Sequence, residues 1–228
     1  MYISQIYPMV QGELPNMGTP MLMVRLQGCP LRCSYCDTPY AQIPETGKVM
    51  TPGMVYSYIV DNIGQIRWVC ISGGEPMMQG KKVRPLILQL KAMGFQTEIE
   101  TSGFYLPPSR LEASTYVVDY KMPSSGAESR YIMQWVDILR ETDLVKIVVS
   151  SPDDLDYITT IRHKLNRSRA PIGISPAIWD IQYDLGQIVI PPEQVNWLQE
   201  VSNFCLRMGY RLNTQQHKFI WGKENNNV

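Results

Sequence analysis

The chain has 228 residues, 44% of them apolar, and lysine plus arginine equals aspartate plus glutamate at 21 each. This length and composition predict one folded domain with a real core and argue against disorder; balanced charge without a long basic run disfavours nucleic acid as a principal ligand and leaves a small molecule. No run of 18 apolar residues occurs and the N-terminus lacks a basic start followed by an apolar stretch, so no membrane span or leader is expected and the location expected is cytoplasmic. Residues 1–224 are expected to form the domain and 225–228 a disordered tail.

In chain order, Ile3 to Val10 is a short apolar lead that runs into Gln11-Gly12-Glu13-Leu14-Pro15, a turn-like stretch in which Gly12 lets the backbone approach a ligand. Met21 to Gln27 alternates as a strand, with Leu22, Val24 and Leu26 on one side and Met21, Met23, Arg25 and Gln27 on the other. In a barrel wall the aliphatic side meets the helices and Arg25 points inside. There it needs an anion, either a nearby acid or the carboxylate of a substrate.

A cysteine loop follows, from Gly28 to Thr38. Thr51-Pro52 opens a helix that Gly64 ends. Trp68 to Ser72 is a strand that enters Gly73-Gly74-Glu75-Pro76, a small-residue turn at a strand end, where α/β proteins place their ligands. Lys81 to Met93 reads as a helix stopped by Gly94, and Gln96 to Glu100 as a strand leading into Glu100-Thr101-Ser102-Gly103. Tyr116 to Asp119 is a strand closed by Asp119-Tyr120-Lys121. Pro123 to Gly126 is a loop, Arg130 to Leu139 a helix and Leu144 to Val149 a β-branched strand. Ser151-Pro152-Asp153-Asp154 opens another helix, and Ile172 to Ser175 is a short strand ending at Ser175-Pro176.

Trp179 to Ile190 has no regular pattern. Pro191 to Met208 is an amphipathic helix ended by Gly209, and Arg211 to Asn213 is a last strand before Gln215-Gln216-His217-Lys218. Strand and helix alternate about six times, which calls for parallel strands with crossover helices. At this length the expectation is an α/β fold, a partial, open (β/α)6 barrel with its ligand sites at one rim.

Three of the five cysteines are Cys29, Cys33 and Cys36, separated by three and two residues. A structural zinc site closes its tetrahedron with four protein ligands, whereas a four-iron cluster held by three cysteines keeps one iron free. A zinc site here would borrow His163 or His217, the two histidines of the chain. Cys70, in the apolar run Trp68 to Ile71, and Cys205, on a helical face with Val195, Leu198, Val201 and Met208, read as core packing. With Tyr35 just before the last cysteine, the loop resembles the signature of the radical S-adenosylmethionine (SAM) enzymes. That resemblance implies a [4Fe-4S] cluster on Cys29, Cys33 and Cys36 and, at its open iron, S-adenosylmethionine cleaved by one electron to a 5'-deoxyadenosyl radical. Gly73 to Pro76 resembles the family's second signature, whose backbone contacts the amino group of the cofactor.

Taken together, Gln11 to Glu13, Arg25 to Cys29, Cys36 to Thr38, Gly73 to Pro76, Glu100 to Gly103 and Gln215 to Lys218 resemble the 7-carboxy-7-deazaguanine synthase family. Leu14 and Ser102 stand where that family often carries glycine and asparagine. The resemblance implies conversion of 6-carboxy-5,6,7,8-tetrahydropterin to 7-carboxy-7-deazaguanine with loss of ammonia, on the route to 7-deazapurines such as queuosine. By position it implies a pterin site of Val10, Gln11, Gly12, Glu13, Arg25, Ser72 and His217. Tyr35, Cys36, Asp37, Gly74, Asp119, Tyr120, Lys121, Ser175 and Pro176 would hold S-adenosylmethionine, and Thr38 a magnesium ion, for which a hydroxyl oxygen is a plausible hard ligand. A homodimer and an electron donor such as flavodoxin or ferredoxin are implied as well. Two other classes stay open: a glycyl-radical activating enzyme with the same cysteine spacing, and a non-catalytic iron-sulfur or zinc protein.

Overall fold

The computed structural model describes residues 1–128, 133–177, 181–184 and 187–221. The chain opens with two strands, β1 (Tyr2–Val10) and β2 (Pro20–Leu26), and after the cysteine loop comes the short β3 (Lys48–Val49). Next are α1 (Pro52–Asn62), β4 (Trp68–Gly73), α2 (Gly80–Ala92), β5 (Gln96–Thr101) and β6 (Thr115–Lys121). The second half holds α3 (Gln134–Ile138), β7 (Leu144–Val149), α4 (Pro152–Leu165) and β8 (Ile172–Pro176). It ends with a hairpin of β9 (Gln182–Asp184) and β10 (Gln187–Val189), then α5 (Pro192–Met208), β11 (Arg211–Leu212) and α6 (Gln216–Trp221).

One nine-stranded sheet carries the order β11-β8-β7-β6-β5-β4-β2-β1-β3. From β2 to β11 every pairing is parallel, and the two ends of the sheet do not meet, so the barrel is open as expected. β1 and β3 extend it by antiparallel pairing. The apolar lead is therefore a full strand, and because it runs against β2 the loop after Val10 begins at the end of β2 opposite the cysteine loop.

The alternation in β2 sorts as its sequence requires. Leu22, Val24 and Leu26 join the core between sheet and helices with Val55, Ile59, Val83 and Leu86. Met21 and Met23 instead pack with Cys70 on the inner face, while Cys205 is buried in the main core. Thr51 caps α1 by accepting from Met54 N at 3.1 Å, and Gly209 ends α5 in the left-handed region at φ 72°. β5 and β6 are joined by residues 102–114 without an α-helix. Of the unpatterned stretch 179–190, residues 182–184 and 187–189 form the β9–β10 hairpin. Residues 130–132 of the expected helix and the expected tail at 225–228 lie outside the described residues.

Candidate active site

A cavity of about 860 Å³ fills the inside of the open sheet, within the range that binds small molecules. Its rim is built from the loops after β2, β4, β5, β6, β7 and β8, because parallel strands bring all their C-terminal ends to one side.

The cysteine loop is pinned at both ends. At its base Gly28 N donates to Ala41 O at 2.8 Å and Cys29 N to Gln42 O at 3.0 Å; at its tip Ser34 donates to Ser125 O through its N–H (3.2 Å) and to Ser124 O through Oγ (2.7 Å). Cys29, Cys33 and Cys36 are half-buried free thiols that all line the cavity. Burial pushes Cys29 up to about 11, opposed by a backbone hydrogen bond, while Glu75 and the other two thiols push it the same way. Three thiolates in so confined a space need a cationic partner, and an iron-sulfur cluster supplies one, so the donor set fits that group.

The turn after β4 closes against this loop. Gly74 N donates to Leu26 O and Glu75 N to Gly28 O at 2.8 Å, and a Cβ on Gly74 would lie 2.1 Å from the Gly28 oxygen. Glu75 is fully buried and accepts from Met77 N, Thr101 Oγ1, Ser102 N and Ser102 Oγ. The second signature thus holds the end of β5, and Ser102 supplies a donor to that carboxylate.

Asp119, Lys121 and Tyr35 meet on the rim. Lys121 Nζ is 2.7 Å from Asp119 Oδ2 and lies over the Tyr35 ring, whereas Asp119 Oδ1 is buried without a hydrogen-bond partner. An unsatisfied buried carboxylate oxygen facing a cavity calls for a donor from a ligand. Cys36, Asp37 and Gly74 also line the cavity. Tyr120, Ser175 and Pro176 do not: Tyr120 points into the core, Ser175 Oγ is taken by Asn213 Nδ2 at 2.8 Å, and Pro176 is buried in β8. Strand alternation puts Tyr120 on the opposite face from Asp119 and Lys121, and Ala177 occupies the rim beyond Pro176.

Val10, Gln11, Gly12, Glu13, Arg25, Ser72 and His217 all line the same cavity. Arg25 donates to Tyr7 Oη at 2.5 Å and lies over the Tyr7 and Tyr40 rings, and its buried Nε has no partner. Among the described residues no carboxylate forms an ion pair with it. Glu13 is buried and paired with Lys146 of β7, and it accepts from Gln215 Nε2 at 2.6 Å. His217 packs so tightly on Gly12 that a Cβ there would lie 2.3 Å from His217 Nδ1; burial lowers the histidine below its usual range, partly offset by Glu13. Thr38 also faces the cavity and, although it precedes a short 3-10 turn, its hydroxyl makes no cap hydrogen bond.

Sequence reasoning missed Tyr7, Tyr40, Glu100 as a wall residue, and Lys146. Glu98 and Glu100, two residues apart in a strand, were the available signal for an acidic inner face. For Lys146 the signal was a lone cation inside the apolar strand Leu144–Val149.

A family model described as the radical SAM superfamily matches residues 23–115. The chain is 31% identical over its full length, and over the full length of the relative, to a 7-carboxy-7-deazaguanine synthase of Koribacter versatilis. It is 34% identical to one of Methanospirillum hungatei, across 96% of this chain and 85% of that one. In structure it is similar to the crystal structure of QueE from Escherichia coli, with a TM-score of 0.71 at 22% identity, across 94% of this chain and 93% of that one.

Proposed function

The chain belongs to the 7-carboxy-7-deazaguanine synthases, radical SAM enzymes of deazapurine biosynthesis, and we propose that its cavity turns 6-carboxy-5,6,7,8-tetrahydropterin into 7-carboxy-7-deazaguanine with loss of ammonia. The cluster and S-adenosylmethionine, when bound, supply one-electron chemistry that removes a hydrogen atom from the substrate. Cys29, Cys33 and Cys36 hold three irons. Asp119, Lys121, Tyr35, Asp37 and the Gly74 backbone orient the cofactor on the rim, and the deeper wall of Val10, Gln11, Gly12, Glu13, Arg25, Ser72 and His217 receives the pterin.

The observation that carries this reading is the state of Arg25. Two tyrosines hold it in place, it forms no ion pair among the described residues, and one of its nitrogens is unsatisfied beside a cavity that the cysteines share. A planar guanidinium in that condition is built to receive a carboxylate through two parallel hydrogen bonds. Thr38 is the magnesium ligand of the proposal, because its hydroxyl is spared from capping and magnesium takes most of its shell from substrate oxygens and water. A flavodoxin or ferredoxin as donor, a homodimer, a cytoplasmic setting and a single domain over 1–224 complete the reading. Among the described residues no helix is long and apolar enough to cross a membrane.

The test is Arg25→Lys. It should raise the KM for carboxytetrahydropterin roughly 30- to 150-fold, the equivalent of about 2 to 3 kcal/mol for a lost charge-assisted pair, while the cluster and slow uncoupled cofactor cleavage survive. Unaltered affinity together with a lower melting temperature would make Arg25 a structural residue and sink the substrate-carboxylate role.

A further inference from the structure

Behind the pterin side of the cavity stands a carboxyl group that reaches neither the cysteine loop nor the cavity. Glu98 is fully buried, two residues before Glu100 on β5, so both side chains project from the inner face of the sheet. Glu100 lines the cavity, and Glu98 sits one step deeper, across the sheet from Cys70. Gln11 Nε2 donates to both carboxyls, to Glu98 Oε1 in a short contact and to Glu100 Oε1 at 3.0 Å. Ser72 Oγ donates to Glu100 Oε2 at 2.8 Å, and the Asn16 carboxamide is 2.6 Å from Glu98 Oε2.

Cys70, Glu98 and Glu100 offer three metal-ligating atoms within 4.8 Å of one another. The carboxylate oxygens are nevertheless already engaged by amide and hydroxyl donors, and burial pushes the Cys70 thiol well up, so the group is suited to a proton rather than a cation. The titratable groups that face this floor are Glu13, Glu98, Glu100 and the thiol Cys70 against Lys146 and Arg25, with Tyr7 beside Arg25, His217, which burial keeps low, beside Glu13, and Asp119, paired with Lys121, beside Lys146. With all three carboxyls ionised the floor keeps one negative charge without compensation in the interior, and one proton on the pair removes it. Burial, then the charge of Glu100, pushes Glu98 up to about 8, against the Asn16 and Gln11 hydrogen bonds that favour its charged form. Geometry agrees, since the Gln11 amide nitrogen lies within hydrogen-bond distance of both carboxyls, which makes Glu98 and Glu100 close neighbours of like charge in the interior.

We propose that Glu98 is a positioning residue for the substrate: as an uncharged acid it holds Gln11 and Asn16 from behind and keeps a further negative charge out of the floor beneath the pterin. Its ionisation adds a negative charge to the floor and repels the substrate anion. The proposal rests on the pterin assignment, so its proton is tested separately from its effect on binding.

The proton is read by infrared spectroscopy of the wild-type protein in heavy water. A carboxylic-acid carbonyl band should be present at pH 7, fade as pH passes about 8, and be missing in Glu98→Gln; a wild-type protein without that band at pH 7 overturns the proposal whatever the substrate is. Binding is read anaerobically with carboxytetrahydropterin. Glu98→Gln, which copies the neutral acid, should keep KM within about threefold at pH 7 and lose the rise in KM that the wild type has above pH 8. Glu98→Ala should raise KM at least tenfold with kcat changed less, while uncoupled cofactor cleavage persists. Should Glu98→Gln lose affinity as Glu98→Ala does, or should wild-type KM be flat through pH 8, Glu98 is not the uncharged positioning group. An intact band with no binding of carboxytetrahydropterin by the wild type would instead refute the pterin reading.

Discussion

A Cβ on Gly74 would lie 2.1 Å from the carbonyl oxygen of Gly28, so the turn after β4 and the start of the cysteine loop meet backbone to backbone. That oxygen also accepts from Glu75 N, which ties the loop's position to the turn. Gly74→Ala must push the two apart because neither neighbour is a flexible side-chain end. The cost is roughly 1 to 3 kcal/mol, and the displaced loop should bind less iron. The check is the melting temperature together with iron content after anaerobic reconstitution. Wild-type values for both would mean that this contact does not place the cysteines.

Thr38 stands two residues beyond Cys36, lines the cavity, and has a hydroxyl free of capping duty. Thr38→Ala should leave S-adenosylmethionine binding nearly intact and weaken the response of turnover to added magnesium, because a cation there acts beside the substrate. Titrating magnesium against turnover in the variant decides it, and an unchanged dependence would retire the metal role.

Glu13 links three distant parts of the chain: the loop after β1, Lys146 of β7, and Gln215 before α6. Burial pushes its carboxyl up, but Lys146 and then His217 overcome this and hold it well below the usual range. Since the folded state binds its proton more weakly than the unfolded chain, the contribution is complete above the ordinary value of 4.5 and is lost as pH falls below it. Glu13→Gln should flatten this acid limb and leave Lys146 buried without its ion-pair partner, at a cost of about 3 to 5 kcal/mol at neutral pH. The double variant Glu13→Gln with Lys146→Met should recover part of that loss. Thermal unfolding between pH 3 and 7 measures all three proteins, and equal melting temperatures for Glu13→Gln and the wild type would refute the clasp.

Local pattern carried much of this arrangement. The period of two in β2 placed Arg25 inside, and the Gly-Gly turn fell at a strand end because small residues are needed where backbones touch. Periodicity does not say which direction a strand pairs, so the antiparallel β1 was invisible, and with it the route by which Gln11 reaches Glu98 and Glu100. Nor does it say which residues share a level across neighbouring strands. In sequence Lys146 is a lone cation in an apolar strand, and only the fold brings Glu13 of the loop after β1 to it; Tyr7 and Tyr40 become the cradle of Arg25 only through register and the closure of the cysteine loop. Ser175 and Pro176 were carried by sequence position, while the end of β8 turns Ala177, not them, to the cavity.

On the proposed function, one cavity joins the cysteine loop to a site for a carboxylated pterin. Its most direct test is an anaerobic incubation of the reconstituted wild-type protein with reductant, S-adenosylmethionine, magnesium and carboxytetrahydropterin, followed by product analysis. The expected result is 7-carboxy-7-deazaguanine together with ammonia, formed only when all components are present. Cleavage of S-adenosylmethionine at an unchanged rate with no deazaguanine, whatever the pterin concentration, would contradict it.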